Sequence, residues 1–286
     1  MNKSISKKPE RGLSPRDAAY QRLMKAIKAI PGFSPRDQLR KFTAFALKIG
    51  VLNQMVEVCQ RGVVPLTLSL DWTLLGKDVG GTEEWGREAG KAYGEAVAAF
   101  EPFECILGRL FNELVGTGRK KKDCQHFTPW AQATAIMRFL PAIPDAHKIG
   151  EICCGAGTLL LGRLHQVAKA DPSALRDISV LANDRDPLCA ALTALQLLSN
   201  QLIWRMPLSR VVVECKDIIS QYWNTGRFFC LARFHGIRPK ARAFSPHTRL
   251  CLSRFCSCCF RQVTSACSLP SQVQTIRKTA FPYPYC

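Results

Sequence analysis

The sequence predicts an α/β protein: a doubly wound, mostly parallel sheet preceded by a helical N-terminal region. Three observations carry this. Apolar residues recur at helical spacing from Asp37 to Met55 and again from Glu83 to Leu114. From about Cys124, short apolar runs alternate with helical stretches, an order that implies parallel strands joined by crossover helices. Within that part, Ile149–Thr158 (IGEICCGAGT) passes from apolar residues to an acid, to Gly155 and Gly157, and then to the apolar run 159–161. Strand, tight turn and helix start follow one another in that order.

Taken along the chain, residues 1–20 read as a flexible basic arm. Ser-Pro-Arg-Asp occurs at Ser14 and again at Ser34; each can open a helix with Ser as N-cap and Pro in the first turn. Two copies of four residues do not make a structural repeat. Residues 21–117 are expected to form a helical domain. One stripe is Leu39, Phe42, Phe45, Ala46 and Ile49; a second runs through Trp85, Ala89, Tyr93, Val97, Phe100, Ile106, Leu110 and Leu114, broken at Pro102. The loop Gly116 to Lys122 is basic, and Lys120–Lys122 either meets nucleic-acid phosphate or stands solvated.

Residues 118–226 carry the alternation. Thr128 can cap a helix that begins at Pro129 and carries Ala131 to Leu140. Strands are expected at Ile149–Cys153, Ile178–Ala182 and Val211–Glu214, with helices at Thr158–Ala168 and Pro187–Leu202. Asp186 and Pro187 suit the start of the latter, and Leu188, Leu192, Leu195 and Leu198 give it one apolar stripe. Beyond Arg227 neither a period of 2 nor one of 3.6 is sustained, so 227–286 reads as an atypical Cys/Arg-rich tail. The sheet is then incomplete, and its third strand is left as an exposed edge.

Composition bounds the class. The 286 residues can hold one or two domains, and the net charge of +18 favours a polyanionic partner. That charge is uneven: after Asp217 there are ten Lys or Arg and no acid, and seven of the 14 cysteines fall there too. Met1 to Gly12 has no apolar segment behind its basic residues, and the uncharged run Pro187 to Trp204 contains Ser199, Asn200 and Gln201. The expectation is a soluble cytoplasmic protein without a membrane span, its cysteines reduced.

The chemistry should sit at the carboxyl ends of the parallel strands. Three groups fall there: Glu151 with Gly155 and Gly157, Asp184 after the second strand, and Asp217 after the third. An acid at the second strand end can accept both hydroxyls of a ribose. An acid at the first turn repels a pyrophosphate and suits a cation or an amine instead. A sulfonium ligand with an amino-acid head, S-adenosylmethionine, meets that demand, and Asp217 can then accept from an adenine amine.

Four segments carry a resemblance. Cys124–Pro129 (CQHFTP) resembles the Gly-Gln-(Tyr/Phe)-Phe-Thr-Pro segment of adenine-specific DNA methyltransferases, the modification subunits of type I restriction systems above all. Glu151–Gly157 (EICCGAG) resembles their Asp-Pro-x-Cys-Gly-x-Gly, Ala182–Pro187 (ANDRDP) their second-strand motif, and Cys215–Asp217 (CKD) their third. The match spans about 100–220. It implies a Rossmann-like, class I S-adenosylmethionine-dependent methyltransferase fold, with DNA and a separate specificity subunit as partners. It also implies that Gln125, Phe127, Thr128 and Pro129 line the cofactor pocket and that Glu151 meets the methionine end. Cys154, Gly155, Gly157 and Thr158 would form the turn beneath the cofactor, Asp184 would hold the ribose, and Asp217 the adenine amine.

Departures are equally informative. Glu151, Ile152 and Cys124 replace the usual Asp, Pro and Gly, and His126 stands where an aromatic is usual. The family's catalytic Asn-Pro-Pro-(Tyr/Phe), expected soon after the third strand, occurs nowhere; 228–235 reads Phe-Phe-Cys-Leu-Ala-Arg-Phe-His. That motif holds the flipped adenine amine in line with the methyl carbon. The chain is therefore expected to bind cofactor and to transfer little or no methyl. The alternative is a non-catalytic protein that binds nucleic acid or a partner; a nicotinamide enzyme ranks lower, because no third spaced glycine follows.

The tail admits three readings. Cys256 and Cys259, with Cys251, Cys267, His235 and His247 nearby, have a zinc-like spacing that no second pair answers. Arg and Phe interleave from Arg227 to Phe260, as in a nucleic-acid arm. A shifted or truncated reading frame accounts best for the joint loss of acids, periodicity and the expected motif. His147, His165, the five tryptophans and the pair Cys153–Cys154 are expected to be structural, and no metal site is expected.

Overall fold

In the computed structural model, the described residues are 13–51, 66–70, 84–115, 127–142, 147–220 and 227–234, all within the compact unit Met1–Ser245. Both Ser-Pro-Arg-Asp tetrapeptides start helices. Helix α1, Pro15–Lys28, is capped by Ser14, whose hydroxyl accepts from the Asp17 amide at 3.1 Å. Helix α2, Pro35–Phe45, is capped in the same way by Ser34 from Asp37 at 3.2 Å. It continues as a π-helical turn, Ala46–Val51; residues 52–55, the end of the periodic stretch, lie outside the described residues. Helices α3, Glu84–Ala99, and α4, Leu107–Leu114, flank the break expected at Pro102. At that break Phe103 is fully buried with a φ of 59°, and its amide donates to Asn200 Oδ1 at 2.6 Å.

The region 21–117 is not wholly helical: Leu66–Leu70 forms strand β1. After α5, Trp130–Met137, the expected alternation follows as β2, Lys148–Glu151; α6, Thr158–Ala170; β3, Ser179–Asp184; α7, Pro187–Trp204; and β4, Arg210–Cys215. A further strand, β5, spans Arg227–Phe234, where the sequence predicts no element. It pairs antiparallel with β4, and β1 pairs antiparallel with β5. The sheet order is β1-β5-β4-β3-β2. Thus β4 is an interior strand, and the expectation of an exposed edge at 211–215 is corrected.

Strands β2, β3 and β4 are parallel and step in one direction across the sheet. Right-handed crossovers then place α6 and α7 on the same face. The register fixes what that face presents: Ile149 pairs with Val180, Glu151 with Ala182, Val180 with Val211, and Ala182 with Val213. Val180, Ala182, Val211 and Val213 are buried there. The other face carries Gly150 and Leu181, with Leu181 48% exposed, and the outer edge of β2 has no partner strand among the described residues.

Helix α7 lies at the centre, between the sheet and the helical layer. Every residue from Leu188 to Gln201 is buried, so the helix has no solvent face and not merely one apolar stripe. Asp186 caps it, accepting from the Leu188 amide at 2.9 Å, and Arg36 of α2 pairs with that same carboxylate. Among the described residues no helix is long and apolar enough to cross a membrane.

Candidate functional site

Parallel pairing brings the tips of β2, β3 and β4 to one end of the sheet. Asn183, near the end of β3, joins them. Its buried amide donates to Ile152 O at 2.9 Å and to Lys216 O at 3.2 Å, and its main-chain carbonyl accepts from Cys154 N at 2.8 Å. The turns after β2 and β4 are therefore tied through β3.

The turn after β2 is tight. Gly157 N donates to Cys154 O at 2.6 Å, and Gly155 and Gly157 have φ of 54° and 76°. Both lie in the left-handed region that favours glycine. Asp184 braces the turn: Oδ2 accepts from Gly155 N at 2.8 Å, and Oδ1 from Asp186 N at 2.9 Å. The register puts Glu151 and Asp184 on the same face of the sheet, two residues offset.

The bare positions of the two glycines do not face open space. A Cβ on Gly155 would lie 3.0 Å from the Phe127 ring, and one on Gly157 would lie 3.0 Å from Thr193 Cγ2 and Oγ1. These glycines let protein pack close. Gly157→Ala should cost about 2–3 kcal/mol: a left-handed alanine costs ~1–2 kcal/mol, and buried Thr193 must also give way. Thermal unfolding of the single variant, and of its pair with Thr193→Ser, measures this. If the pair recovers nothing, the contact with Cγ2 is not the cause.

The polar residues of α7 hold the turn from behind. Thr193 Oγ1 donates to Gly155 O at 2.9 Å, and Gln196 Nε2 to Ala156 O at 2.7 Å. Gln196 Oε1 accepts from the Ile106 and Leu107 amides, both at 2.9 Å, at the start of α4. Farther along, Ser199 meets Tyr93 OH at 2.9 Å, and Gln201 Oε1 accepts from Leu208 N at 2.8 Å. Sequence reasoning misses these residues; their signal is the spacing of Thr193, Gln196 and Asn200, which share one side of the helix.

Glu151 is the site's distinctive group. Its Oε2 is shielded from solvent and has no hydrogen-bond partner, while the Leu160 amide in the first turn of α6 favours the charged form of the carboxyl. Burial pushes its pKa up to about 7, opposed by the Leu160 amide and reinforced by the Asp184 carboxylate. Burial likewise drives the Cys154 thiol up to about 12, so it stays protonated at neutral pH.

The remaining expected site residues divide. Phe127 is brought against Gly155; its ring lies 4.3 Å from that of Phe111, and its carbonyl accepts from Asn112 Nδ2 at 3.1 Å. Pro129 is the N-cap of α5 and makes no side-chain bond, so Thr128 is not the cap; the helix starts one residue later than expected. Thr158 contributes its backbone to the turn, and its buried hydroxyl lies 3.3 Å from Cys105 Sγ of the helical layer. Cys154 is buried, with its sulfur accepting from Thr193 Oγ1 at 3.4 Å. Asp217 Oδ1 accepts from Ile219 N at 3.0 Å and Ser220 N at 3.4 Å, and these bonds hold its carboxyl below the usual range. It first closes its own turn.

Gln125 lies outside the described residues, as do Cys124, His126, Lys120–Lys122 and the tail's Cys251, Cys256, Cys259, Cys267, His235 and His247. Among the described residues no cluster of His, Cys, Asp and Glu could hold a metal ion. His165 is a satisfied core histidine: Nδ1 is 2.7 Å from Pro102 O, Nε2 is 3.3 Å from Glu101, and Trp130 meets its ring edge-on.

The helical layer spends several of its cations internally. Arg16 pairs with Glu104, Arg22 with Glu95 at 3.4 Å, and Arg109 with Glu113 at 2.8 Å. No protein-family model, curated protein or solved structure matches the chain, so its functional reading rests on these residues and their geometry.

Proposed function

We propose that the strand tips form a site for S-adenosylmethionine, in a protein of the DNA adenine N6-methyltransferase type found in type I modification subunits. The observation that carries this reading is Glu151: a half-buried carboxyl with one solvent-shielded, unsatisfied oxygen at the first strand tip, beside a second carboxylate at the next. Such a pair favours a positively charged group and disfavours phosphate. The turn also supports the reading, since Asp184 fixes Gly155 and is itself the acid at the second strand tip that would hold a ribose. Gln125, Phe127, Thr128 and Pro129 would cover the ligand, and Asp217 would approach the adenine amine. The methyl donor supplies an electrophilic carbon when bound. The chain has no Asn-Pro-Pro to present an adenine to it, so methyl transfer to DNA is not part of the proposed activity.

Titration calorimetry of the intact chain should show saturable S-adenosylmethionine binding. Asp184→Ala should abolish it, and Asp184→Asn, which keeps both acceptor positions sterically filled, should weaken it at least tenfold. No heat and no thermal shift with the wild type would remove the methyltransferase reading. Transfer of labelled methyl to adenine-containing DNA would overturn the proposed inactivity. The second reading, a basic nucleic-acid- or partner-binding protein, draws on the net charge of +18 and the missing motif. It predicts salt-dependent DNA binding that S-adenosylmethionine does not alter.

A further inference from the structure

We infer that in mildly acidic solution the site takes its cationic ligand in exchange for a proton: there the Glu151 side chain is a neutral acid in the free protein and becomes a carboxylate under the ligand's positive charge. This rests on the cofactor reading above and adds how that site is regulated. The exchange balances as protein–COOH plus ligand cation giving protein–COO⁻ paired with the cation, plus one proton released to solvent.

The argument starts from the unpartnered oxygen. A carboxylate with a solvent-shielded oxygen and no donor to it is unfavourable, because burial without compensation penalises the charged form. One proton relieves that cost in the free protein. A ligand cation relieves it too, and the two are mutually exclusive.

Among the described residues, nothing around Glu151 takes over this role. From β3 it faces Asp184, whose charge adds to the penalty and whose two oxygens are already bonded to Gly155 and Asp186 amides. From the turn it faces Cys154, a protonated thiol, and from α6 the Leu160 amide, the one donor that favours the charged form. The cations of neighbouring elements are committed elsewhere. Arg163 of α6 bonds Pro141 O and Gln166, Lys169 pairs with Glu101, Lys216 after β4 pairs with Glu214, and Arg36 with Asp186. A ligand carrying permanent positive charge is thus the partner this oxygen lacks.

Two ligands test this on the intact chain. The first is S-adenosylmethionine. The second is S-adenosylmethionine with its amine converted to a trimethylammonium, which keeps the sulfonium and a permanent charge at the methionine end and has no titrating amine. Calorimetry in buffers of different ionisation enthalpy counts protons released on binding. With the second ligand the count should approach one at about pH 6 and fall toward zero by about pH 8.5. Over the same range Kd should tighten by up to about tenfold per pH unit and then level off. Glu151→Gln should bind more weakly, with no proton release and a flat pH profile; far-UV circular dichroism confirms that the variant is folded.

Binding by wild type with no buffer-dependent heat and a flat Kd overturns this inference and leaves the cofactor reading standing. Proton release that persists unchanged in Glu151→Gln also overturns it, since the proton then comes from elsewhere. No binding of either ligand at any pH removes the cofactor reading itself, and this inference with it.

Discussion

Replacing Gln196 by leucine should destabilise the protein by about 3–5 kcal/mol, measured as a fall in the free energy of unfolding in urea. The side chain is 1% exposed and makes hydrogen bonds across elements, to Ala156 O and Cys105 Sγ and from the Ile106 and Leu107 amides. Leucine nearly matches its volume, so the cavity contribution is small. What remains is one carbonyl and two amides, buried without partners, at ~1–3 kcal/mol each. The two amides matter most. Ile106, at the N-cap of α4, offers no side-chain bond, so Gln196 serves as that helix's cap from outside. Thr193→Val removes the hydroxyl that bonds Gly155 O and lies against Cys154 Sγ, and should cost about 1 kcal/mol by the same logic. A loss below about 1 kcal/mol for Gln196→Leu would show that those groups find other partners and that α7 does not clamp the turn.

How much of this is legible in the sequence follows from which signals are local. Helix starts are readable at Ser14, Ser34 and Asp186, because a cap is an interaction over two or three residues and leaves a fixed spacing. The three parallel strands are readable within a few residues, because each is a short apolar run bounded by an acid or a turn. Strands β1 and β5 are not. Leu66 pairs with Phe234 and Leu70 with Cys230, contacts set by chain closure over most of the molecule, and Arg227–Phe234 shows no alternation to announce them. Without those two strands, β4 reads as an edge.

The site divides along the same line. That Glu151 and Asp184 sit at neighbouring strand tips follows from strand order alone. That Asp184 braces Gly155, that Phe127 and Thr193 fill the space beside the glycines, and that Glu151 keeps one oxygen without a donor depend on Phe127 ahead of α5, the first turn of α6 and the side chains of α7 meeting there. The side-chain amides of α7 are hidden in the sequence by the leucines around them. A helix read as having one apolar stripe needs no partners for its other side; one buried from Leu188 to Gln201 needs a partner for every polar group.

In the free protein, Glu151→Gln should be neutral at about pH 4.5 and stabilising by about 3 kcal/mol at pH 8. Burial and Asp184 raise the folded-state pKa of Glu151 to about 7, from an unfolded value of 4.5. Between those values the unfolded chain has released the proton that the folded protein retains. Stability therefore falls as pH rises through this window and is flat beyond it, with ~1.4 kcal/mol lost for each pH unit that separates the two ionisations. Glutamine keeps an oxygen for the Leu160 amide and carries no charge, so the variant should hold its stability where the wild type loses it. Unfolding in urea at a series of pH values measures the difference. If the two proteins respond to pH in parallel, Glu151 is already ionised in the folded state, and the buried charge has found a donor. If they diverge across pH 5 to 7, the upper end of that divergence marks the same ionisation that ligand binding should displace, so an equilibrium measured without ligand fixes in advance the pH at which binding must cease to tighten.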